Sequence, residues 1–440
     1  MSAHPSRALV GGFLAAIAIG AVLLWLPIAT ESGQQPHLVD ALFTSASAVC
    51  VTGLVTTDTE QHWSVYGEVV IMLLMQAGGL GIMSLATVVA LLVSGRLGLH
   101  ARLLAQTETK TVRPADVRRV LRKVLVFSLS AEALVAAVLT GRWWLGYDVP
   151  LGQAAYRGIF HAVSAFNNGG FVLWQDSLTR YRADAWIIVT VTLAVLVGGL
   201  GFPVVFELAR NWRHPGRWSV LTRITVIVTS ALLAGGFIVI TAAEWNNPAT
   251  LGALAPPTRL LNGAFAAVMP RSGGFTTFDL SGLTSESLLV HNMLMFIGGG
   301  SAGTAGGIKV TTFGLLGYVI WAELRGEPRV GVGRRSIPAD LQRQALTIAL
   351  VGVGAVAVAS LALAAMTSHA TDRVVFEAIS AFGTVGLSTG ITADLPRAAH
   401  VLLVLLMFAG RVGPLTLGTA LALRVRARRF QLPEERTIVG

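Results

Sequence analysis

Val51-Thr52-Gly53-Leu54 closes a short apolar segment and opens a long one. The same event recurs as Asn168-Gly169-Gly170-Phe171, Ser272-Gly273-Gly274-Phe275 and Thr384-Val385-Gly386-Leu387. The glycines Gly53, Gly170, Gly274 and Gly386 stand a little over a hundred residues apart, so the chain reads as four tandem copies of one unit. Ahead of each turn lies one apolar segment, near 38–49, 153–166, 258–269 and 372–382. A dozen residues reach about 18 Å at 1.5 Å per residue. That is too short for the roughly 30 Å hydrocarbon core of a bilayer, and each segment reads as a re-entrant half-helix. The segments share a register. Phe43, Phe160 and Phe376 stand ten places before their glycines, with Phe265 one place late in the third copy. Ser47, Ser164 and Ser380 stand six places before, with Val268 in the drifted third copy.

Working outward, the 440 residues are 53% hydrophobic and only 13% charged, against about 25% charge in ordinary soluble domains. Mean hydropathy is +0.67. Long apolar runs lie near 8–28, 66–94, 124–146, 183–209, 220–243, 287–321, 343–366 and 399–424. The expected fold is an all-α membrane protein of four tandem helix–pore-loop–helix repeats, with eight spans and four re-entrant half-helices around one pseudo-four-fold pore. Repeat 1 covers 1–95, a cytoplasmic loop 96–123, repeat 2 124–210, repeat 3 211–323, repeat 4 324–424 and a cytoplasmic tail 425–440. The polar stretch 95–123 is too short to bury a core of its own. The first run is longer than a signal-peptide core and lacks a small-x-small cleavage pattern, so it reads as a retained helix. Cys50 stands alone and excludes an intramolecular disulfide.

The net charge of +10 does not mark a nucleic-acid binder, because the charge alternates from loop to loop. Basic residues gather at 96–123, at Arg210, Arg213, Arg217 and Arg223, at Arg325, Arg329, Arg334, Arg335 and Arg343, and at Arg424, Arg426, Arg428, Arg429 and Arg436. The stretch 27–70 holds no Lys or Arg but carries Glu31, Asp40, Asp58, Glu60 and Glu68. This is the positive-inside pattern, which puts both termini in the cytoplasm and the glycine turns outward.

A cation sheds water to enter a narrow pore, and rings of backbone carbonyls replace its hydration shell. Turning successive carbonyls inward needs dihedrals that favour glycine, and the C-terminal ends of four half-helices add partial negative charge. The turns hold no carboxylate. The expected filter is therefore Val51, Thr52, Gly53, Asn168, Gly169, Gly170, Ser272, Gly273, Gly274, Thr384, Val385 and Gly386, with the ion held by the carbonyls of Thr52, Gly169, Gly273 and Val385. No covalent cofactor is expected. Twenty-odd residues on, glycines recur as Gly78-Gly79-Leu80-Gly81, Gly198-Gly199-Leu200-Gly201, Gly298-Gly299-Gly300 and Gly410-Arg411-Val412-Gly413. The third copy continues through Ser301, Ala302, Gly303, Thr304 and Ala305 to Gly306 and Gly307. Each helical glycine costs about 1 kcal/mol against alanine, so six in ten residues break this helix and leave a gate loop at 298–307. Its GxGxxG-like spacing lacks the strand and soluble βαβ unit of a dinucleotide site.

Arg411 within an apolar run is a functional residue by default, and facing the pore it is a barrier to cations. Lys309 snorkels. Glu132, the one acid within an outer span, pairs with another helix. Asn167 and Asn168 orient the second turn, and Arg271 braces its loop or pairs with Asp279. A secondary transporter of another solute calls for inverted halves and coupling carboxylates within spans; these copies run in one orientation. A membrane enzyme calls for clustered His, Asp, Glu or Cys at one depth, and none is present.

The stretches 48–54, 164–171, 271–277 and 381–388, with the glycine-rich break and the Arg411 helix, resemble the Ktr/Trk/HKT superfamily of potassium transporters over nearly the whole chain. They are most similar to the membrane (KtrB-type) subunit of bacterial Ktr systems. The resemblance implies potassium uptake across the bacterial cytoplasmic membrane and matches Gly53, Gly170, Gly274 and Gly386 to the filter glycines. It matches 298–307 to an intramembrane gate and Arg411 to a pathway arginine. Gly53 stands where sodium-favouring plant relatives often carry serine. The resemblance also implies a homodimer, sodium as an activator, and a KtrA-like cytoplasmic octameric ring that binds ATP or ADP. Gly169 and Gly273 stand where alanine is frequent, and Thr276 where asparagine is.

Overall fold

The computed structural model describes residues 5–102, 114–333 and 335–423. The chain is mostly helical. The first copy consists of α1 (Pro5–Leu24), α2 (Leu38–Val49), the single turn α3 (Thr59–His62) and α4 (Val65–Arg102). The second holds α5 (Pro114–Gly146), α6 (Leu151–Phe166), α7 (Ala185–Leu200) and α8 (Phe202–Asn211). The third holds α9 (Val220–Glu244), α10 (Pro256–Val268), α11 (Ser285–Phe296) and α12 (Val310–Leu324), and the fourth α13 (Ala339–Met366), α14 (Thr371–Gly383) and α15 (Arg397–Leu423).

The short helices α2, α6, α10 and α14 form the centre. α1 packs on α2, α5 on α6, α9 on α10, and α13 and α15 on α14. Phe43, Phe160, Phe265 and Phe376 are all buried, so the register shared by the short segments faces the core. The long helices instead leave large apolar side chains bare, such as Leu134, Ile238, Val358 and Leu361. A surface of that composition is stable against lipid, not water. By length and apolarity, four of the described helical stretches qualify as membrane-crossing: Arg119–Gly146, Val220–Glu244, Ala339–Met366 and Arg397–Gly418. The α7–α8 pair makes a fifth if taken as one span.

Three expectations need correction. The run 183–209 is not one straight helix: α7 and α8 meet at 101°. Pro203 lacks the N–H that would bond the Gly199 carbonyl and its ring crowds that turn, while Gly201 takes φ +86. The run 287–321 is interrupted from Ile297 to Lys309, the break expected from its glycines and no correction. The loop 96–123 is largely helical, because α4 continues to Arg102 and α5 begins at Pro114; residues 103–113 lie outside the described residues, as does the tail 425–440. The chain is not wholly α: Gly331–Val332 pairs antiparallel with Arg335–Ser336 across a turn at Gly333, φ +64.

Candidate functional site: a ring of four glycine turns

Each short helix ends in one backbone gesture. Val51, Asn168, Ser272 and Thr384 take positive φ of 55°, 60°, 70° and 47°, and two residues later Gly53, Gly170, Gly274 and Gly386 take 94°, 69°, 74° and 89°. A left-handed residue after a helix is usually glycine or asparagine. β-Branched Val51 and Thr384 there are strained, by about 1–3 kcal/mol each. Burial in the core holds them, since all four residues are buried. The chain then bonds back into its own helix. The amide of Thr52 donates to Ser47 O at 2.7 Å, Gly169 to Ser164 O at 2.6 Å and Val385 to Ser380 O at 2.9 Å. The third turn is one residue tighter, Gly273 donating to Met269 O at 2.8 Å, which matches the drift in its sequence. Ser47 Oγ accepts from the Gly53 amide at 3.0 Å, and Ser164 Oγ donates to Phe171 O at 2.7 Å.

The four turns meet in a closed ring. A Cβ on Gly53 would lie 2.6 Å from the Gly169 carbonyl oxygen and 2.9 Å from Gly170 Cα. One on Gly170 would lie 3.0 Å from Gly274 Cα, and one on Gly274 2.7 Å from the Val385 oxygen. One on Gly386 would lie 2.1 Å from the Thr52 oxygen and 3.1 Å from Gly53 Cα. Glycine is required at each position by both the dihedral and the neighbour. Gly273 is fixed from outside the ring, its Cα facing Met269 and Val195. Among the described residues, no hydrogen bond ends on the carbonyl oxygens of Thr52, Gly169 or Val385. Unpaired carbonyl dipoles converging in a buried place favour a cation, and so do the C-terminal ends of the four short helices.

On one side of the ring, the residues after the glycines line a cavity of about 500 Å³, with Gly53, Gly386, Thr276, Ser388, Asp176 and Asp279 in its wall. On the other side, the residues before the glycines touch the glycine-rich loop. Thr304 Oγ1 donates to Asn168 Oδ1 at 2.5 Å, and the Gly306 amide to Ser272 Oγ at 3.1 Å. Ser272 Oγ in turn donates to Thr384 O at 2.6 Å. The loop is also stitched to the broken helix: the amide of Gly300 donates to Gly199 O at 2.7 Å and that of Thr304 to Gly198 O at 3.1 Å. The carbonyl that Pro203 leaves without a partner is thus capped by the loop.

Three cations surround this loop. Arg411, only 3% exposed, donates through Nη1 to Thr304 O and through Nη2 to Gly78 O at 3.4 Å. Lys309 Nζ donates to Ala305 O, so it turns back to the loop and is not simply snorkelling. Arg271 Nη2 donates to Gly298 O at 2.9 Å. It braces the glycine-rich loop and not its own turn, and the alternative pairing with Asp279 is not made either; Asp279 accepts from the Ser281 amide at 2.9 Å and from Ser281 Oγ at 2.6 Å. The remaining loop positions, Ser301, Ala302, Gly303 and Gly307, complete the crossing. Ser301 Oγ meets Thr311 Oγ1 of α12 at 2.8 Å, and Ala302 and Gly307 take positive φ of 61° and 65°. A Cβ on Gly303 would lie 2.7 Å from Gly199 O.

The second glycine motif also has a structural cause. A Cβ on Gly78 would stand 2.0 Å from Val49 O, on Gly198 1.9 Å from Phe166 O, and on Gly410 1.8 Å from Phe382 O. In three copies the following helix needs glycine to admit the end of its own short helix.

Carboxylates support the ring from behind. Glu132 accepts from Gln76 Nε2 at 3.0 and 3.1 Å and from Asn167 Nδ2 at 3.0 Å, so its partners are amides on α4 and at the end of α6. Glu377, fully buried on α14, accepts from Ser388 Oγ at 2.5 Å, the Thr389 amide at 3.1 Å and Thr392 Oγ1 at 2.9 Å. It fixes the segment that leaves the fourth turn. Glu377 is absent from the candidates named from sequence, although an acid inside an apolar short helix is a signal for it.

A family model described as TrkH, cation transport protein, matches residues 2–428. The chain belongs to this family. It is 38% identical over 412 residues to the Ktr system potassium uptake protein B of Bacillus subtilis, covering 94% of this chain and 92% of that one. It is 33% identical over 446 residues to the potassium/sodium uptake protein NtpJ of Enterococcus hirae, covering 99% and 97%. The crystal structure of the potassium transporter TrkH from Vibrio parahaemolyticus shares the fold, with a TM-score of 0.68 at 20% identity over 93% of this chain and 84% of that one. This TrkH-family chain is a cation transporter and not an enzyme.

Proposed function

We propose that the protein takes up potassium through the glycine ring, which acts as a carbonyl-lined selectivity filter. The observation that carries this is the closed circuit Gly53–Gly170–Gly274–Gly386, with the free carbonyls of Thr52, Gly169 and Val385 at its seams. The names of the relatives, potassium and potassium/sodium uptake proteins, support the ion. The four copies form one pseudo-four-fold pore of eight spans and four re-entrant half-helices, with the divisions given by the repeats. The cavity of about 500 Å³ is the outer vestibule; Asp176 in its wall is paired with Arg180, and Asp279 gives it a sign that attracts cations.

The loop 298–307 is the gate. It crosses beneath the ring, touches three of the four turns and is held by Arg271, Lys309 and Arg411. Arg411 serves twice, as an electrostatic barrier to a cation leaving the filter and as the clamp on Thr304. Both termini are cytoplasmic by the charge pattern of the loops, in a bacterial cytoplasmic membrane. The protein works as a homodimer on a nucleotide-binding KtrA-like cytoplasmic ring, with sodium as a stimulant; similarity to a component of a Ktr system supports this.

The deciding experiment is rubidium-86 uptake into proteoliposomes loaded with potassium, with potassium, sodium or lithium as external competitors. Uptake suppressed by potassium and untouched by lithium is the expected result. Equal suppression by all three ions would refute the filter. Absence of uptake that a ring subunit with ATP does not restore would refute potassium as the cargo.

A further inference from the structure

The 101° bend between α7 and α8 has a consequence for the membrane surface. If α7 crosses the bilayer, α8 runs along its plane, and amphipathic helices bind there through apolar side chains dipped below the phosphates and basic ones level with them. α8 carries such a face. Phe206 is 38% exposed and Trp212, at its end, 63%. Arg210 and Arg213 are exposed beside them, and the Arg213 guanidinium lies 4.6 Å from the Trp212 ring centroid. Among the described residues neither arginine has an ion-pair partner. The one acid of α8, Glu207, turns away: it accepts from the Ser219 amide at 2.7 Å, Ser219 Oγ at 2.6 Å and Thr222 Oγ1 at 2.5 Å. It thereby caps α9 and pins α8 at the level where α9 begins. Trp218 Nε1 closes the corner on Asn211 O at 3.0 Å.

The other end of α8 joins the glycine-rich loop. Gly201, which directly precedes the helix, is so close to the loop that a Cβ on it would lie 2.6 Å from Ser301 O and 2.9 Å from the Gly303 nitrogen. The adjoining carbonyls of Gly198 and Gly199 hold the loop amides of Thr304 and Gly300. These contacts sit at the end of α7 and at the hinge glycine from which α8 leaves.

We propose that α8 binds the headgroups of anionic phospholipids through Arg210 and Arg213, with Phe206 and Trp212 seated below them, and that this binding sets the position of the glycine-rich loop. The charge of the face selects the occupant. A zwitterionic headgroup offers no net attraction, whereas each arginine near an anionic surface contributes appreciably. The coupling half of this proposal rests on the loop being a gate; the binding half does not.

Two readouts keep the halves apart. The first is the melting temperature of the full-length protein in detergent, titrated with phosphatidylglycerol or phosphatidylcholine. Phosphatidylglycerol is expected to raise it saturably and phosphatidylcholine not. Arg210→Gln with Arg213→Gln is expected to weaken the apparent affinity about 30-fold, while the control pair Arg329→Gln with Arg343→Gln keeps it. Equal losses in both pairs would mean general surface charge and overturn the site, as would a wild type indifferent to phosphatidylglycerol. An α8 pair that instead fails to hold a cytoplasmic partner subunit, with lipid response intact, would assign the face to that partner and overturn the lipid site. The second readout is rubidium-86 uptake in vesicles of phosphatidylcholine with and without phosphatidylglycerol. A lipid-dependent rate that the α8 pair abolishes supports the coupling; a rate equal in both lipids overturns it. Absence of uptake in every lipid would count against the transport reading, and the melting data would still decide the binding site.

Discussion

Gly386 and Gly390 separate two costs that usually travel together. Both take nearly the same positive dihedral, φ +89 and +91. A Cβ on Gly386 would meet the Thr52 oxygen at 2.1 Å, while one on Gly390 would meet nothing within 4 Å. Gly390→Ser is expected to cost about 1–3 kcal/mol of backbone strain and to leave ion discrimination as it was. Gly386→Ser carries the same strain and also displaces Thr52, whose carbonyl belongs to another copy. Its preference for rubidium over sodium in competition uptake should fall by about tenfold or more, equal to about 1.4 kcal/mol. A Gly386→Ser protein that lost stability only, with unchanged competition profiles, would remove the ring from the selectivity account. The glycines themselves are plain in the sequence. The left-handed Val51 and Thr384 are not, because β-branched residues disfavour that conformation; only the surrounding packing enforces it.

Among the elements, the short helices were the most legible. Their apolar stretches of a dozen residues, closed by Gly turns, place α2, α6, α10 and α14 to within a few residues, since length and turn chemistry agree there. The bend at Gly201 was in view as Gly-Phe-Pro, but it sat inside a glycine motif shared with the unbroken α4, and the shared motif concealed it. The destination of Arg271 was not legible either, because a carbonyl acceptor on a distant loop leaves no mark in sequence. The loop between α11 and α12 now has two separable anchors. Arg411 clamps it at Thr304 from α15, and Gly199 clamps it at Gly300 from α7. Hydrogen bonds from charged groups are worth about 1.5–3 kcal/mol, so Arg411→Gln should raise rubidium-86 uptake about tenfold. Pro203→Ala restores an amide that competes with Gly300 for the Gly199 carbonyl. It should free the loop on that side and raise uptake by a smaller factor, without touching competition by sodium or lithium. Reduced uptake in both variants, in protein that still folds, would mean that the loop holds the path open and does not block it.

For the molecule as a whole, the decisive quantity is which way the ring faces. The vestibule and the loop lie on opposite sides of the turns, so uptake with a gate beneath the filter requires the vestibule outside. The charge pattern of the loops makes that choice: no Lys or Arg between residues 27 and 70, against Arg210, Arg213, Arg217 and Arg223 around the α8–α9 corner. The chain provides its own blank for testing it. Cys50, the sole cysteine, is buried beside the first turn, so a membrane-impermeant maleimide should leave the wild-type protein unlabelled in intact cells. Ser32 is exposed in the α1–α2 connection and Gly216 in the α8–α9 connection, with nothing within 4 Å of a Cβ on Gly216. Ser32→Cys should react in intact cells, and Gly216→Cys only after the membrane is opened. The reverse pattern would turn the molecule over: Asp176 and Asp279 would then face the cytoplasm, and the loop would guard entry instead of release. It would also lift α8 to the outer leaflet, away from the anionic surface its arginines fit. The same two labels therefore bear on the direction of the pore, the role of the gate and the membrane face of α8.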